Sequence, residues 1–250
     1  MGVIILSTVL SSCSQSMGTV EHMEGSNHKV DSGKNDTLIK FNRSMYRFNV
    51  GIDRVLFKPV AKSYKAITPT IINTSISNFF QNLGEVGNVF NNILQAKPKD
   101  AINDAERFIV NSTFGFAGLI DIASAADLEK HDEDFGQTLA KWGVGSGPYV
   151  MLPFLGPSTL RDATAKLSID LLTNPVSYSE KSVHFLILDK LDQRADLLSR
   201  ESIFDGISND SYSALRDAWL QRRSYLIRDG KIDQKEQSDL IDELESLESE

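Results

Sequence analysis

The chain is predicted to be all-α. Apolar residues recur at spacings of three and four through most of the body, which is the period of a helix face. Few segments alternate with period two, as half-buried strands would. Prolines at Lys58-Pro59, Lys97-Pro98 and Asn174-Pro175 divide the helical runs, because the residue before a proline is pushed out of the helical region. With 250 residues, 41% hydrophobic and 24% charged, the chain is long enough for one domain with a real core.

Residues 2–10 (GVIILSTVL) form a short apolar stretch ahead of Cys13, the pattern of a signal-peptide core and too short to span a bilayer. Cys13 is the single cysteine of the chain, so no intrachain disulfide can form. Residues 13–36 are polar, bear glycine and serine, and show no periodicity, which predicts a flexible tether.

The helical domain is expected over residues 37–230. Leu38, Phe41, Met45, Phe48, Ile52 and Val55 make the first apolar stripe, with Asp36 as expected N-cap and a stop before Lys58-Pro59. Arg43, Arg47, Asp53 and Arg54 fall off that stripe. A second helix is expected from about Thr74 to Gln95 with Ile76, Phe79, Phe80, Leu83, Val86, Phe90 and Ile93 facing inward. Its Gly84 and Gly87 would admit a neighbouring backbone. A third runs from about Asp100 to Thr113 and carries Ile102, Ala105, Ile109 and a charged Arg107.

Asp134-Phe135-Gly136-Gln137 reads as a capped start to a short helix that Gly143 closes. Further helices are expected over Thr159–Leu172, Ser179–Arg200 and from Asp210 to Asp229-Gly230. The last 20 residues, 231–250, hold eight acids and two lysines and form an acidic tail.

The centre of the chain is different. Gly143 to Pro157 (GVGSGPYVMLPFLGP) concentrates glycine and proline among apolar residues. No regular helix can run through it, yet a solvated loop would not be this apolar. Such a backbone must be buried or line a cavity, because its peptide groups still need partners. Two readings follow, a cavity lining and a buried turn between helices. Gly143, Gly145, Gly147, Pro148, Tyr149 and Phe154 are the candidate lining residues.

Several chemistries are unsupported. The central glycines match neither a nucleophile elbow, since Gly145 directly precedes Ser146, nor a dinucleotide fingerprint, since position 148 is proline. Of four histidines, His22 and His28 lie in the tether, so a histidine metal site is not expected. The acids beside His131 (Asp132, Glu133, Asp134) suit a helix N-terminus better than a metal. Outside the tail the net charge is about −2, which suggests no nucleic-acid surface. No 18-residue apolar span exists.

Specific motifs resemble the MlaA (VacJ) family of outer-membrane lipoproteins. They are Phe41-Asn42-Arg43-Ser44-Met45-Tyr46-Arg47-Phe48-Asn49, Lys58-Pro59-Val60-Ala61, Ser77-Asn78-Phe79-Phe80-Gln81-Asn82-Leu83, Gly118-Leu119-Ile120-Asp121 and Phe135-Gly136-Gln137-Thr138-Leu139. The central block from Gly143 to Phe154 and the following Thr159-Leu160-Arg161-Asp162 are the most specific. Leu10-Ser11-Ser12-Cys13 likewise resembles a lipobox, which implies cleavage after residue 12 and a lipid on Cys13.

The resemblance implies a ring of amphipathic helices embedded in the inner leaflet of the outer membrane, apolar faces toward lipid, around a central channel. It also implies removal of phospholipid from the outer leaflet and its transfer to a periplasmic carrier of the MlaC type. A trimeric porin is the implied neighbour, and no cofactor, metal or covalent chemistry is implied. An envelope hydrolase acting on lipid or cell wall, and a passive structural lipoprotein, are the rival readings.

Overall fold

A computed structural model of the chain describes residues 36–170, 175, 182–198 and 210–231. Cys13, the tether up to residue 35 and nearly all of the acidic tail lie outside them. Helix α1 (Ile39–Ile52) runs into a π-helical turn, Asp53–Phe57, and on into α2 (Lys58–Ile67). The expected stop before Lys58-Pro59 is therefore absent. Pro59 comes just after the π turn, where the regular ladder is already interrupted, so a residue without an amide hydrogen is tolerated inside the run.

Asp36 is not the expected cap. Leu38 holds that position without a side-chain bond, while the buried Asp36 carboxylate accepts from Asn42 Nδ2 at 2.8 Å and from the Tyr212 hydroxyl.

Helix α3 (Thr70–Leu94) begins four residues before the expected Thr74 and packs along α4 (Pro98–Thr113). A short α5 (Ile122–Ala125) is capped by Asp121, and α6 (Phe135–Lys141) by Asp134, whose carboxylate accepts from Gln137 N at 2.9 Å. Helix α7 (Leu160–Ala165) continues as a second π-helical turn, Lys166–Asp170. Helix α8 (Ser182–Leu197) packs on α2 and α3, and α9 (Ser211–Ile227) reaches α6.

One hairpin departs from the all-helical expectation. Strands β1 (Tyr149–Leu152) and β2 (Gly156–Thr159) pair antiparallel, Tyr149 opposite Thr159 and Leu152 opposite Gly156. At four residues each they are too short for a period-two signal.

Burial is inverted relative to a water-soluble helical domain. Among the described residues twelve apolar side chains are buried, half of them alanines, against 23 polar or charged ones. The expected stripes are exposed in part: Phe41 and Phe48 on α1, Val55 in the π turn, Phe90 and Ile93 on α3, Ile102 and Ile109 on α4, Val183 and Ile187 on α8. The other five stripe residues of α3 are half-buried, and Tyr212, Leu215 and Trp219 of α9 are buried. Ile67 and Ile71 at the α2–α3 corner are each 81% exposed. Gly84 faces open space rather than a neighbouring backbone.

Polar side chains fill the inside because nearly all find a partner there, which a buried polar group requires; Ser158 Oγ is an exception. Along α3 the buried face is Asn82, Glu85, Asn88, Asn91, Asn92 and Gln95. Arg107 Nε of α4 donates to Glu85 at 3.0 Å, Asn92 Nδ2 to Asp104 at 2.7 Å, and Thr138 Oγ1 to Asn91 at 2.8 Å. Burial raises the Glu85 pKa, and its bonds from Asn88 and Arg107 act against that rise. Arg194 of α8 grips Asp53 in the π turn with bonds of 2.7 and 3.0 Å, both side chains buried.

Candidate functional site

The central stretch divides into an open loop and a hairpin. Gly143 ends α6 at φ +87°, a conformation that favours glycine, and Val144 N donates to Leu139 O at 2.9 Å. Residues 143–147 are exposed, and a methyl group added at Gly143 or Gly145 would meet nothing within 4 Å. Gly147 differs: it has φ +66°, and an added Cβ would lie 3.1 Å from Leu160 Cβ. Arg161 pins the loop from below. Its amide donates to Ser146 O at 3.1 Å and its Nη1 to Val144 O at 3.2 Å.

Pro148 is half-buried where the loop enters β1. Tyr149 and Met151 then turn into the apolar cluster of Tyr212, Leu215 and Trp219, with the Tyr149 ring 6.0 Å from Trp219. Burial drives the Tyr149 hydroxyl pKa well above the usual tyrosine range. Beyond β1 the chain turns at Pro153-Phe154-Leu155, with Phe154 at φ +62° and exposed. The Phe154 ring meets Phe48 edge-on at 5.2 Å.

Of the predicted lining residues, Gly143, Gly145 and Gly147 therefore share one open loop. Phe154 lies at the other end of the hairpin, beyond a strand of about 13 Å, and the Tyr149 side chain is in the core.

What holds the hairpin is a set of residues that stripe-reading overlooks. β2 pairs with one edge of β1, Asn42 of α1 pairs with the other, and Asn49 holds the turn that follows. Asn42 donates to Tyr149 O at 3.0 Å and accepts from Met151 N at 2.8 Å. Asn49 donates to Leu152 O at 2.9 Å and accepts from Phe154 N at 2.9 Å. A side-chain amide carries the same donor and acceptor as a peptide, so the two stand in for backbone partners at the strand edge and the turn. Their seven-residue spacing, two turns on one face, was the available signal.

Below the hairpin lies a charged knot. Arg223 of α9 donates to Asp134 at 2.6 and 2.7 Å and to Asp162 at 2.9 and 3.0 Å, and Arg161 Nε donates to Asp162 at 2.9 Å. Burial would raise the Asp134 pKa, but Arg223 outweighs it and holds the carboxylate below its usual range. Gly136 is required here: a Cβ would stand 2.4 Å from both Arg223 Nη2 and Asp162 Oδ1. The expected local pair Arg161–Asp162 is thus one edge of a larger network. Beside it opens a cleft of about 160 Å³ lined by Asp132, Lys166, Trp219 and Arg222 among others.

The acids near His131 are tied up in ion pairs. His131 Nδ1 bonds Asp104 at 2.7 Å, and Lys97 donates to Glu133 at 2.8 Å. No group of three or more His, Cys, Asp or Glu among the described residues could hold a metal, and no helix among them is long and apolar enough to cross a membrane.

A sequence model described as MlaA lipoprotein matches residues 34–226. The chain belongs to the MlaA lipoprotein family. It is 33% identical over 231 residues to the intermembrane phospholipid transport system lipoprotein MlaA of Escherichia coli, covering 87% of this chain and 90% of that one. The MlaA of Haemophilus influenzae is 28% identical over 247 residues, 95% of this chain and 98% of its own. An uncharacterized protein of Rickettsia prowazekii is 31% identical, covering 88% and 92% respectively.

A solved structure described as the structural basis for maintenance of bacterial outer membrane lipid asymmetry superposes with a TM-score of 0.69 at 34% identity, covering 78% of this chain and all of the other. The mostly helical MlaA fold is therefore shown for this chain. The match begins at residue 34, close to the first described residue, and so takes in the helices, the hairpin and the knot together.

Proposed function

We propose that this chain is an outer-membrane lipoprotein of phospholipid transport. It removes phospholipid from the outer leaflet and passes it to a periplasmic carrier of the MlaC type. Its helices are embedded in the inner leaflet on the periplasmic side beside a trimeric porin, and Cys13 carries the lipid anchor. The observation that supports this reading best is the inverted burial: apolar faces out and amides and ion pairs in.

Hydrocarbon tolerates the outer face, while a phospholipid headgroup needs a polar route because a bare charge in hydrocarbon costs several kcal/mol. In this reading the open loop from Gly143 to Gly147 borders that route, and its small residues leave the gap. The headgroup meets freed backbone groups there, and the tails meet apolar walls. No bond of the lipid is broken, and direction comes from the carrier.

The test is the phospholipid content of the outer leaflet in cells lacking the protein. Accumulated surface phospholipid, reversed by the wild-type chain, is the expected result. Unchanged surface lipid together with lipid hydrolysis products from the purified protein would replace transport with an enzymatic function.

A further inference from the structure

Helix α1 carries a third kind of face besides the buried asparagines and the exposed aromatics. Lys40, Arg47 and Arg54 stand seven residues apart, so each lies about 20° from the one before on the same side of the helical run. All three are exposed, and none of their side chains has a hydrogen-bond or ion-pair partner among the described residues. One position further along in each case come Phe41, Phe48 and Val55, about 100° around the axis and also exposed. A cationic seam therefore runs beside an apolar seam for the full length of α1.

The surrounding charge leaves that seam uncompensated. Residues 39–67 hold seven lysines and arginines and a single acid, in a chain whose formal net charge is −8. The single acid, Asp53, is buried against Arg194. Arg43, off the seam, is taken by Asp210, and Lys65 donates to Ala195 O.

We infer that the Lys40–Arg47–Arg54 seam binds the headgroups of acidic phospholipid, phosphatidylglycerol or cardiolipin, while the adjoining Phe41, Phe48 and Val55 enter the acyl region. Paired basic and apolar seams on one helix suit an interface, where long cationic side chains reach the phosphates. Net charge does the selecting: three cations attract a headgroup of net negative charge, whereas the ammonium of a zwitterionic headgroup offsets its phosphate. The contact is separate from the transport route. It rests on the leaflet-embedded reading, and it would fix the depth and tilt of α1 beneath the hairpin that Asn42 and Asn49 hold.

The test uses the full-length chain extracted in mild detergent from membranes of known composition, with co-purifying lipid counted by headgroup. Wild type should be enriched in phosphatidylglycerol plus cardiolipin by about threefold over the membrane, since each basic residue near an anionic surface adds a several-fold preference. Lys40→Gln/Arg47→Gln/Arg54→Gln should return the ratio to that of the membrane with total bound lipid unchanged. Lys40→Arg/Arg47→Lys/Arg54→Lys should keep the enrichment, which separates charge from damage to the fold. Bound lipid at bulk composition in wild type overturns the headgroup inference alone, as does enrichment that survives the glutamine variant. Absence of bound lipid altogether overturns the embedded reading with it.

Discussion

Asn49 shows how much one side chain can hold. It satisfies Leu152 O and Phe154 N together, on either side of the turn where Phe154 takes a positive φ. Asn49→Ala leaves both backbone groups without their partner and should cost about 1–3 kcal/mol for each buried group that water cannot reach. Thermal unfolding in detergent, followed by circular dichroism, would measure it. Asn49→Asp keeps the acceptor but sets a carboxylate against Leu152 O, so it should be no milder. Arg43 and Asp210 make a different prediction. Arg43 holds the Asp210 pKa down to about 2, against an ordinary value near 3.9. A depressed carboxylate stabilises the fold above its unfolded pKa and loses that contribution as pH falls through the folded value. The tie between α1 and α9 should therefore weaken between about pH 4 and pH 2, and Arg43→Gln should flatten that part of the acid titration. Both side chains are more than a third exposed, so the effect should be small and reduced by salt. Asn42 and Asn49 were visible as residues of a motif, but their partners were not, because a partner more than a hundred positions away leaves no local signal.

At the scale of elements, helix existence is legible in the sequence and helix orientation is not. Periodicity shows that a helix has two unlike faces without saying which one is buried. Phe90 and Ile93 read as inward on α3 and lie outward, while Arg107, noted only as a charge within α4, is buried. The resemblance to an embedded family implied apolar faces turned outward, an orientation that periodicity alone does not give. Boundaries failed where tertiary contact overrode a local rule, as at Pro59, where a π turn lets the helix pass. The hairpin was hidden because its strands, four residues each, are too short for a period-two signal. The two readings of the central loop can now be separated by glycine. Gly145 has open space around it, so Gly145→Leu should fold to normal abundance and, if the loop borders the lipid route, cause phospholipid to accumulate at the surface. Gly147 is strained for any other residue and close to Leu160, so Gly147→Leu should lower abundance instead. Normal abundance and normal surface lipid in Gly145→Leu would remove the loop from the route. Gly136→Ala should be worse than either for the fold, because it breaks into the Arg223 knot; unpairing buried charges of that kind costs about 3–5 kcal/mol.

For the whole molecule, inverted burial fixes the solvent the chain requires. A chain lacking residues 1–35, and hence any anchor at Cys13, should still need detergent or lipid, since Val55, Ile67, Ile71 and Phe116 stay exposed without it. Size-exclusion chromatography in plain buffer should show aggregates, and a clean monomer there would contradict an embedded domain. The same inversion bears on when the chain can fold. In water, collapse is driven by removing apolar surface, so an aqueous chain would first gather its phenylalanines and isoleucines and turn Asn82, Asn92 and Arg107 outward. That arrangement opposes the native one face by face, which makes it a trap rather than an intermediate on the way. On the proposed embedding, the native order becomes favourable once a hydrocarbon phase takes the apolar side. Refolding from urea should accordingly succeed when lipid is present from the start and fail when it is added after dilution. On the proposed embedding, the membrane is the last component of this chain's folding code.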